Sequence, residues 1–188
     1  RRTFFRLFFD IFLLFISVFF NYFNINLLFM KKTNALRMLD QMKIPYQTLE
    51  YTYDIENLEV AIIAKENGLE VETIYKTLVL VGDKTGILVA VIAGNHHLSL
   101  KKVAPISSNK KVEMAPVKDL QHLTGYVRGG CSPIGMKKQF PVFIDETAKT
   151  MEQIYVNAGI RGMLFACKPD DLLNACNGIY AHIIEDAQ

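Results

Sequence analysis

"KTLVLVGDKTGILVAVIAG", residues 76–94, sets two β-branched and aliphatic runs on either side of "GDKTG". Runs of this length and composition read as strands, and a short connection rich in Gly, Asp and Lys reads as a hairpin turn. Working outward, the chain alternates helix and strand signals. Thr33 or Asn34 can cap a helix in which Leu36, Leu39 and Met42 recur at helical spacing and which stops before Pro45. "YQTLEYTY" (46–53) alternates as a strand, and "LEVAIIAKENG" (58–68) has a helical period ending on Gly68. Shorter pieces follow the hairpin: "LSLKKVA", "KVEM", a helix from Pro116 to about Leu123, "YV", "PVFID", "IYVNAG", "GMLFAC" and a helix opened by "KPDDLLNAC". Some seven strands interleave with short helices and no segment repeats. The pattern predicts an α/β or α+β domain with a mixed sheet closing on itself.

A chain of 188 residues is within the range of one domain and needs no second. Cys131, Cys167 and Cys176 are odd in number and form no C-x-x-C, which argues against a disulfide framework or a thiolate zinc site and favours a reducing compartment. His96, His97, His122 and His182 show no H-x-H or H-x-x-x-H spacing, so no metal is expected.

Residues 1–29, "RRTFFRLFFDIFLLFISVFFNYFNINLLF", differ from the rest. Basic residues precede an apolar stretch, as in a signal peptide, but Asp10 interrupts it. The remaining apolar core is well short of the roughly 20 residues that span a bilayer as helix. No small-x-small cleavage pattern follows, and "MKKTNALRMLD" from Met30 reads like the start of a soluble protein. The segment reads as translated upstream sequence outside the native fold, with an uncleaved leader or membrane anchor as the alternative. Any membrane role would rest on it, and 30–188 is the expected domain.

From Met30 onward Lys/Arg and Asp/Glu balance at 18 each. Between Lys101 and Lys138, however, eight bases face only Glu113 and Asp119. Such a stretch attracts anions, or is simply a solvated face.

"GGCSPIG" (129–135) lacks the order of a nucleotide P-loop, a dinucleotide turn or a serine nucleophile elbow. Its glycines permit positive φ and can leave N–H groups pointing into a concavity suited to an oxyanion, or can merely make a turn. Lys76 opens an apolar strand, where a lysine reaches either a substrate or, more commonly, water. Cys131 is a candidate nucleophile without a base paired to it by spacing.

"YKTLVLVGD" (75–83), "LSLKKVAPISSNKKVEMAP" (98–116), "LTGYVRGGCSPIGMKKQFPVFIDETA" (123–148) and "QIYVNAGIRGMLFACKPDDLL" (153–173) together resemble the YbaK/EbsC family of aminoacyl-tRNA deacylases. The resemblance runs from about Thr33 to Glu185 and extends to the editing domain inserted in bacterial prolyl-tRNA synthetases. It points in particular to the free-standing Cys-tRNA(Pro) deacylases.

The resemblance implies an α+β domain with a mixed, largely antiparallel, barrel-like sheet surrounded by short helices. It puts the family's essential lysine on Lys76, its glycine-rich loop on Gly129, Gly130, Ser132, Pro133 and Gly135, an aspartate on Asp145 and a lining aromatic on Tyr53. At Cys131 relatives can carry an aliphatic residue, which favours filler over nucleophile. Lys101, Lys102, Lys137 and Lys138 would meet tRNA phosphates.

The implied activity is cytoplasmic trans-editing of mischarged tRNA(Pro) without a cofactor, in association with prolyl-tRNA synthetase. For cysteinyl substrates it would proceed through the substrate's own thiol, which gives the cleavage a lyase-like, cyclising character. The alternatives are an Ala-tRNA(Pro) deacylase using a water directed by Asp145, a thiol-dependent hydrolase using Cys131, and a non-catalytic aminoacyl-tRNA binding module.

Overall fold

The computed structural model of the chain describes residues 32–56 and 58–186. The expected extension 1–29 lies outside the described residues. Among the described residues eight strands form one mixed sheet: β1 Gln47–Glu50, β2 Ile74–Gly82, β3 Gly86–Ala93, β4 Val112–Met114, β5 Val142–Asp145, β6 Ile154–Asn157, β7 Met163–Cys167 and β8 Ile179–Ala181. Among the described residues the five α-helices are α1 Asn34–Met42, α2 Val60–Asn67, α3 Leu100–Ile106, α4 Leu120–Thr124 and α5 Pro169–Cys176. The α+β class read from the sequence is the class observed.

The β2–β3 hairpin is the middle of the sheet, whose order is β1-β7-β6-β2-β3-β5-β8 with β4 added to β2. Antiparallel pairing joins β1–β7, β6–β7, β2–β3 and β2–β4, while β2–β6, β3–β5 and β5–β8 are parallel. The path ends at β1 and β8, which do not pair with each other.

The hairpin is almost uniformly apolar because both its faces are covered. Val89 and Val91 enter a core completed by α1 and α5, whereas Leu88, Ala90 and Ile92 enter one completed by Val103 and Ala104 of α3. In α1, Thr33 Oγ1 accepts from the Leu36 amide at 3.2 Å, and the helix ends with Lys43 in the left-handed region (φ 58°). Leu36 and Leu39 are buried, each stabilising the fold by about 1.5–3 kcal/mol. Among the described residues no helix is long and apolar enough to cross a membrane.

Three local expectations shift. "YQTLEYTY" is strand only from Gln47 to Glu50, where the pairing with β7 ends at Met163, although the Tyr51 amide still donates in register to the Gly162 carbonyl at 2.9 Å. "LSLKKVA" is not extended: Leu100, Val103 and Ala104 lie at helical spacing and form α3, with Pro105 in its last turn. "YV" at 126–127 pairs with no strand. The unread strand β8 is three residues long, too short for periodicity, and exists through its parallel pairing with β5.

Candidate active site

Strand β2 has a continuous partner on one side only. Along β3 its register runs from Tyr75 to Gly82. On the other side Ile74 and Tyr75 pair with β6, and Leu80, Val81 and Gly82 pair with β4. Lys76, Thr77, Leu78 and Val79 have no strand partner there, although the Ala115 amide reaches the Val79 carbonyl at 2.9 Å. Into this split opens a cavity of about 290 Å³. Its walls are mostly apolar, including Ile63, Ile74, Val79, Leu120 and Leu164, and its polar groups include Lys76, Thr77, Asn157 and Arg128.

Lys76 is half-buried, and its Nζ donates to the carbonyls of Gly94 (3.1 Å) and His96 (2.6 Å). An ammonium has three donors, so one remains for another acceptor. Burial lowers its pKa from the ordinary lysine value.

The loop after α4 borders the same cavity. The Gly130 amide donates to the Val127 carbonyl at 2.9 Å, closing a turn whose third residue, Gly129, has φ +79°. A type II turn requires that geometry, which explains the glycine. Asn157 Nδ2 donates to the Gly129 carbonyl at 2.9 Å while its Oδ1 accepts from the Gly159 amide at 2.8 Å, and Arg161 Nε donates to the Arg128 carbonyl at 2.8 Å. β6 and the turn after it therefore fix the loop from behind. Among the described residues, the amides of Gly129 and Cys131 have no hydrogen-bond acceptor.

The predicted residues separate on this frame. Lys76, Gly129 and Cys131 share the cavity. The Gly130 amide is engaged inside its turn, so it is not a donor for a substrate. Ser132 is completely buried and its Oγ has no partner among the described residues. Pro133 and Gly135 line a different hollow of about 150 Å³, with Met38, Lys138 and Cys176.

Asp145 is also fully buried and lies outside the cavity lining. Its Oδ1 accepts from the Thr147 amide and its Oδ2 from the Ile183 amide, both at 3.0 Å, so it caps the turn after β5 and secures the C-terminal segment. This placement keeps its carboxylate out of the cavity lining. Tyr53 is 44% exposed and borders a separate hollow whose lining also includes Ile62 and Glu66. The aromatics of the cavity lining are Tyr75 and Tyr51, the latter 8% exposed and two residues before Tyr53. Burial raises the Tyr51 phenol above its ordinary range, with the Gly162 backbone and Asn157 side chain opposing the shift.

The four lysines expected at phosphates also divide. Lys102 Nζ is bonded to Asp186 (2.6 Å) and the Ile184 carbonyl (2.8 Å), and Lys137 Nζ donates to the Gln121 carbonyl at 3.1 Å. Lys101 and Lys138 are exposed, and Lys138 borders the hollow beside Pro133 and Gly135. Cys131 is buried, its thiol donates to the Val127 carbonyl at 3.5 Å, and burial pushes its pKa up to about 11. At pH 7 on the order of one molecule in ten thousand carries the thiolate a nucleophile needs.

Asn157 and Tyr51 were missed by sequence reasoning, and Arg128 entered it only as one of the eight bases between Lys101 and Lys138. Asn157 ends a strand with the ordinary look of a loop asparagine, and only the fold brings it behind Gly129.

The sequence profile of the aminoacyl-tRNA editing domain matches residues 57–175. The chain is 51% identical over 153 residues to an Enterococcus faecalis protein named as a Cys-tRNA(Pro)/Cys-tRNA(Cys) deacylase, EbsC, covering 81% of this chain and 93% of that one. It is 25% identical over 135 residues to the proline–tRNA ligase of Cupriavidus taiwanensis, covering 70% of this chain but only 24% of the ligase. A solved structure described as a trans-editing enzyme for prolyl-tRNA synthetase superposes with a TM-score of 0.69 at 24% identity, covering 81% of this chain and 98% of that one.

Proposed function

The chain belongs to the aminoacyl-tRNA editing domain family, and on that premise we propose that it is a free-standing deacylase that removes cysteine from mischarged tRNA(Pro). The observation that supports this reading best is the cavity in the split of the sheet, whose lining includes Lys76, with its half-buried ammonium, and Gly129 and Cys131, whose amides have no acceptor among the described residues, and whose one cysteine, Cys131, is held protonated by burial. An aminoacyl ester is already reactive, so holding its carbonyl against well-placed donors supplies most of what an editing enzyme needs.

In this mechanism the cysteinyl side chain enters the cavity and its sulfur attacks its own ester carbonyl. The S–C bond forms as the thiol proton passes to solvent water, which returns a proton to the ribose oxygen when that oxygen departs. Negative charge on the carbonyl oxygen is met by the remaining N–H of Lys76 and the amides of Gly129 and Cys131. The tetrahedral carbon then expels the ribose oxygen, which takes up a proton, so the tRNA regains its hydroxyl and the acyl group departs as a four-membered thiolactone that water opens to cysteine. Thr77 Oγ1, buried and without a partner among the described residues, is a further polar group in the cavity wall. Prolyl-tRNA synthetase is the partner that would contribute tRNA selectivity, and the three free, buried cysteines fit action in the reducing cytoplasm.

The test is to charge tRNA(Pro) separately with cysteine, alanine and proline and to follow deacylation. Cysteine is expected to be cleared at least about 10²-fold faster than alanine, because only cysteine carries an intramolecular nucleophile. Equal clearance of alanine would refute thiol assistance and favour a positioned water. Cys131→Ala is expected to keep the cysteine-clearing rate within about threefold, since a protonated, buried thiol contributes packing rather than attack. Loss of turnover in that variant would return Cys131 to the mechanism.

A further inference from the structure

The substrate has two unlike halves, a small acyl group and a polyanion, and the cavity accounts for only the first. Beside it is a second hollow of about 370 Å³ lined by Lys76, Leu78, His97, Leu98, Leu100, Met114 and Glu185. The two spaces have Lys76, Leu78 and Met114 in common, so they adjoin across the unpaired stretch of β2. Among the described residues Lys76 is the one charged side chain that lines both, and its ammonium is drawn toward the 94–96 turn that leads to His97.

Resting on the deacylase reading above, we propose that the terminal ribose and adjoining phosphates of the tRNA lie in this second hollow, against His97 and Lys101, with the ester linkage passing Lys76. The argument is one of connectivity. If the carbonyl sits at Lys76 and the acyl group fills the apolar cavity, the ribose must lie beyond Lys76, and the adjoining space beyond it is this hollow.

The hollow is built for a ligand of mixed character. His97 is exposed, and its backbone is pinned by the Glu185 amide, which donates to the His97 carbonyl at 2.9 Å, and by the bridge from Leu98 to Ile184. Leu98 and Leu100 supply an apolar floor for a sugar. Lys101 follows Leu100 directly on α3, is exposed, and has no partner among the described residues. The opposing charge is Glu185, which borders the hollow and must repel a phosphate. Neighbouring Lys102 cannot help, because its ammonium is bonded to Asp186, the Ile184 carbonyl and His182. Lys138 borders the separate hollow beside Pro133 and Gly135, which has no lining residue in common with the acyl cavity.

The experiment measures binding of an uncharged tRNA(Pro) transcript to the full chain by fluorescence anisotropy over a range of salt concentrations. Each phosphate that is no longer neutralised lowers the slope of log K against log salt by about 0.7–0.9. Lys101→Ala is expected to lower it by that amount, His97→Ala to weaken binding several-fold, and Glu185→Gln to strengthen it. The proposal is overturned if Lys138→Ala or Arg128→Gln carries the fall in slope while Lys101→Ala and His97→Ala leave it unchanged, or if no variant alters it. Failure of the deacylase reading has a different signature. A wild-type protein that binds the transcript but clears no aminoacyl ester would refute catalysis, and the salt slopes would still report where the nucleic acid lies.

Discussion

Lys76→Ala is expected to lower kcat/KM for cysteinyl-tRNA(Pro) by about 10²- to 10³-fold, the decrease typical of removing one preorganised donor to a developing oxyanion. The side chain has two duties that the experiment must separate. Two of its N–H groups bond the Gly94 and His96 carbonyls, and the third remains for the substrate. Removing the first pair leaves carbonyls short of donors, at a cost of about 1–3 kcal/mol if water does not replace them. Lys76→Met, which keeps the stem's bulk, therefore accompanies the alanine variant, with a thermal melt for each. Both should melt cooperatively near the wild type and both should be catalytically weak. A folded Lys76→Met protein retaining more than about a tenth of wild-type activity would refute a role for the ammonium.

Gly135→Ala is expected to act on stability rather than on chemistry, lowering it by about 2–5 kcal/mol. Two effects add. Gly135 has φ +71°, where a side chain costs about 1–2 kcal/mol. A Cβ there would lie 2.7 Å from the Ala35 amide nitrogen, 2.8 Å from the Asn34 carbonyl carbon and 2.8 Å from the Tyr126 hydroxyl oxygen. Two of those neighbours are main chain at the start of α1, and Tyr126 is held by its bond to the Ile134 carbonyl at 2.8 Å. Relief means moving a helix whose Ala35, Leu36 and Leu39 are buried in the principal core, a form of overpacking that costs about 1–3 kcal/mol. For a domain of this size the midpoint of melting should fall by roughly 5–15 °C. An unchanged midpoint in urea at unchanged slope would show that α1 yields freely.

The same loop shows how far sequence carries. The glycines of "GGCSPIG" announce a place where side chains are kept off the backbone, but two different things approach it. At Gly129 the requirement is a turn beside the cavity, and at Gly135 it is the first turn of α1, which is distant in the chain. No local pattern separates them.

The hairpin was legible because its turn residues and its apolar runs are all local. α3 was not, since "LSLKKVA" is too short for either period to dominate and its helical form follows from Val103 and Ala104 burying against the hairpin. Tyr51 and Tyr53 lie two apart, so alternation assigns them to one face. They part only because the chain leaves the sheet after Glu50, and their rings end edge to face at 6.4 Å. Asp145 resembles a catalytic carboxylate in a string of letters, and its neighbours in space make it a cap. Lysine counts indicate the sign of a surface and nothing of which ammonium groups are already bonded.

The interruption between β6 and β4 has a further meaning for how this architecture can diversify. Reactive groups and container are built from separate parts: Lys76 is carried by the long central ribbon, while the width of the opening is decided by where the three-residue β4 and its neighbour β6 give out. Lengthening or trimming either neighbour would resize the chamber for a different amino acid and leave the lysine's backing undisturbed, so new selectivities are reachable without rebuilding the machinery that cleaves.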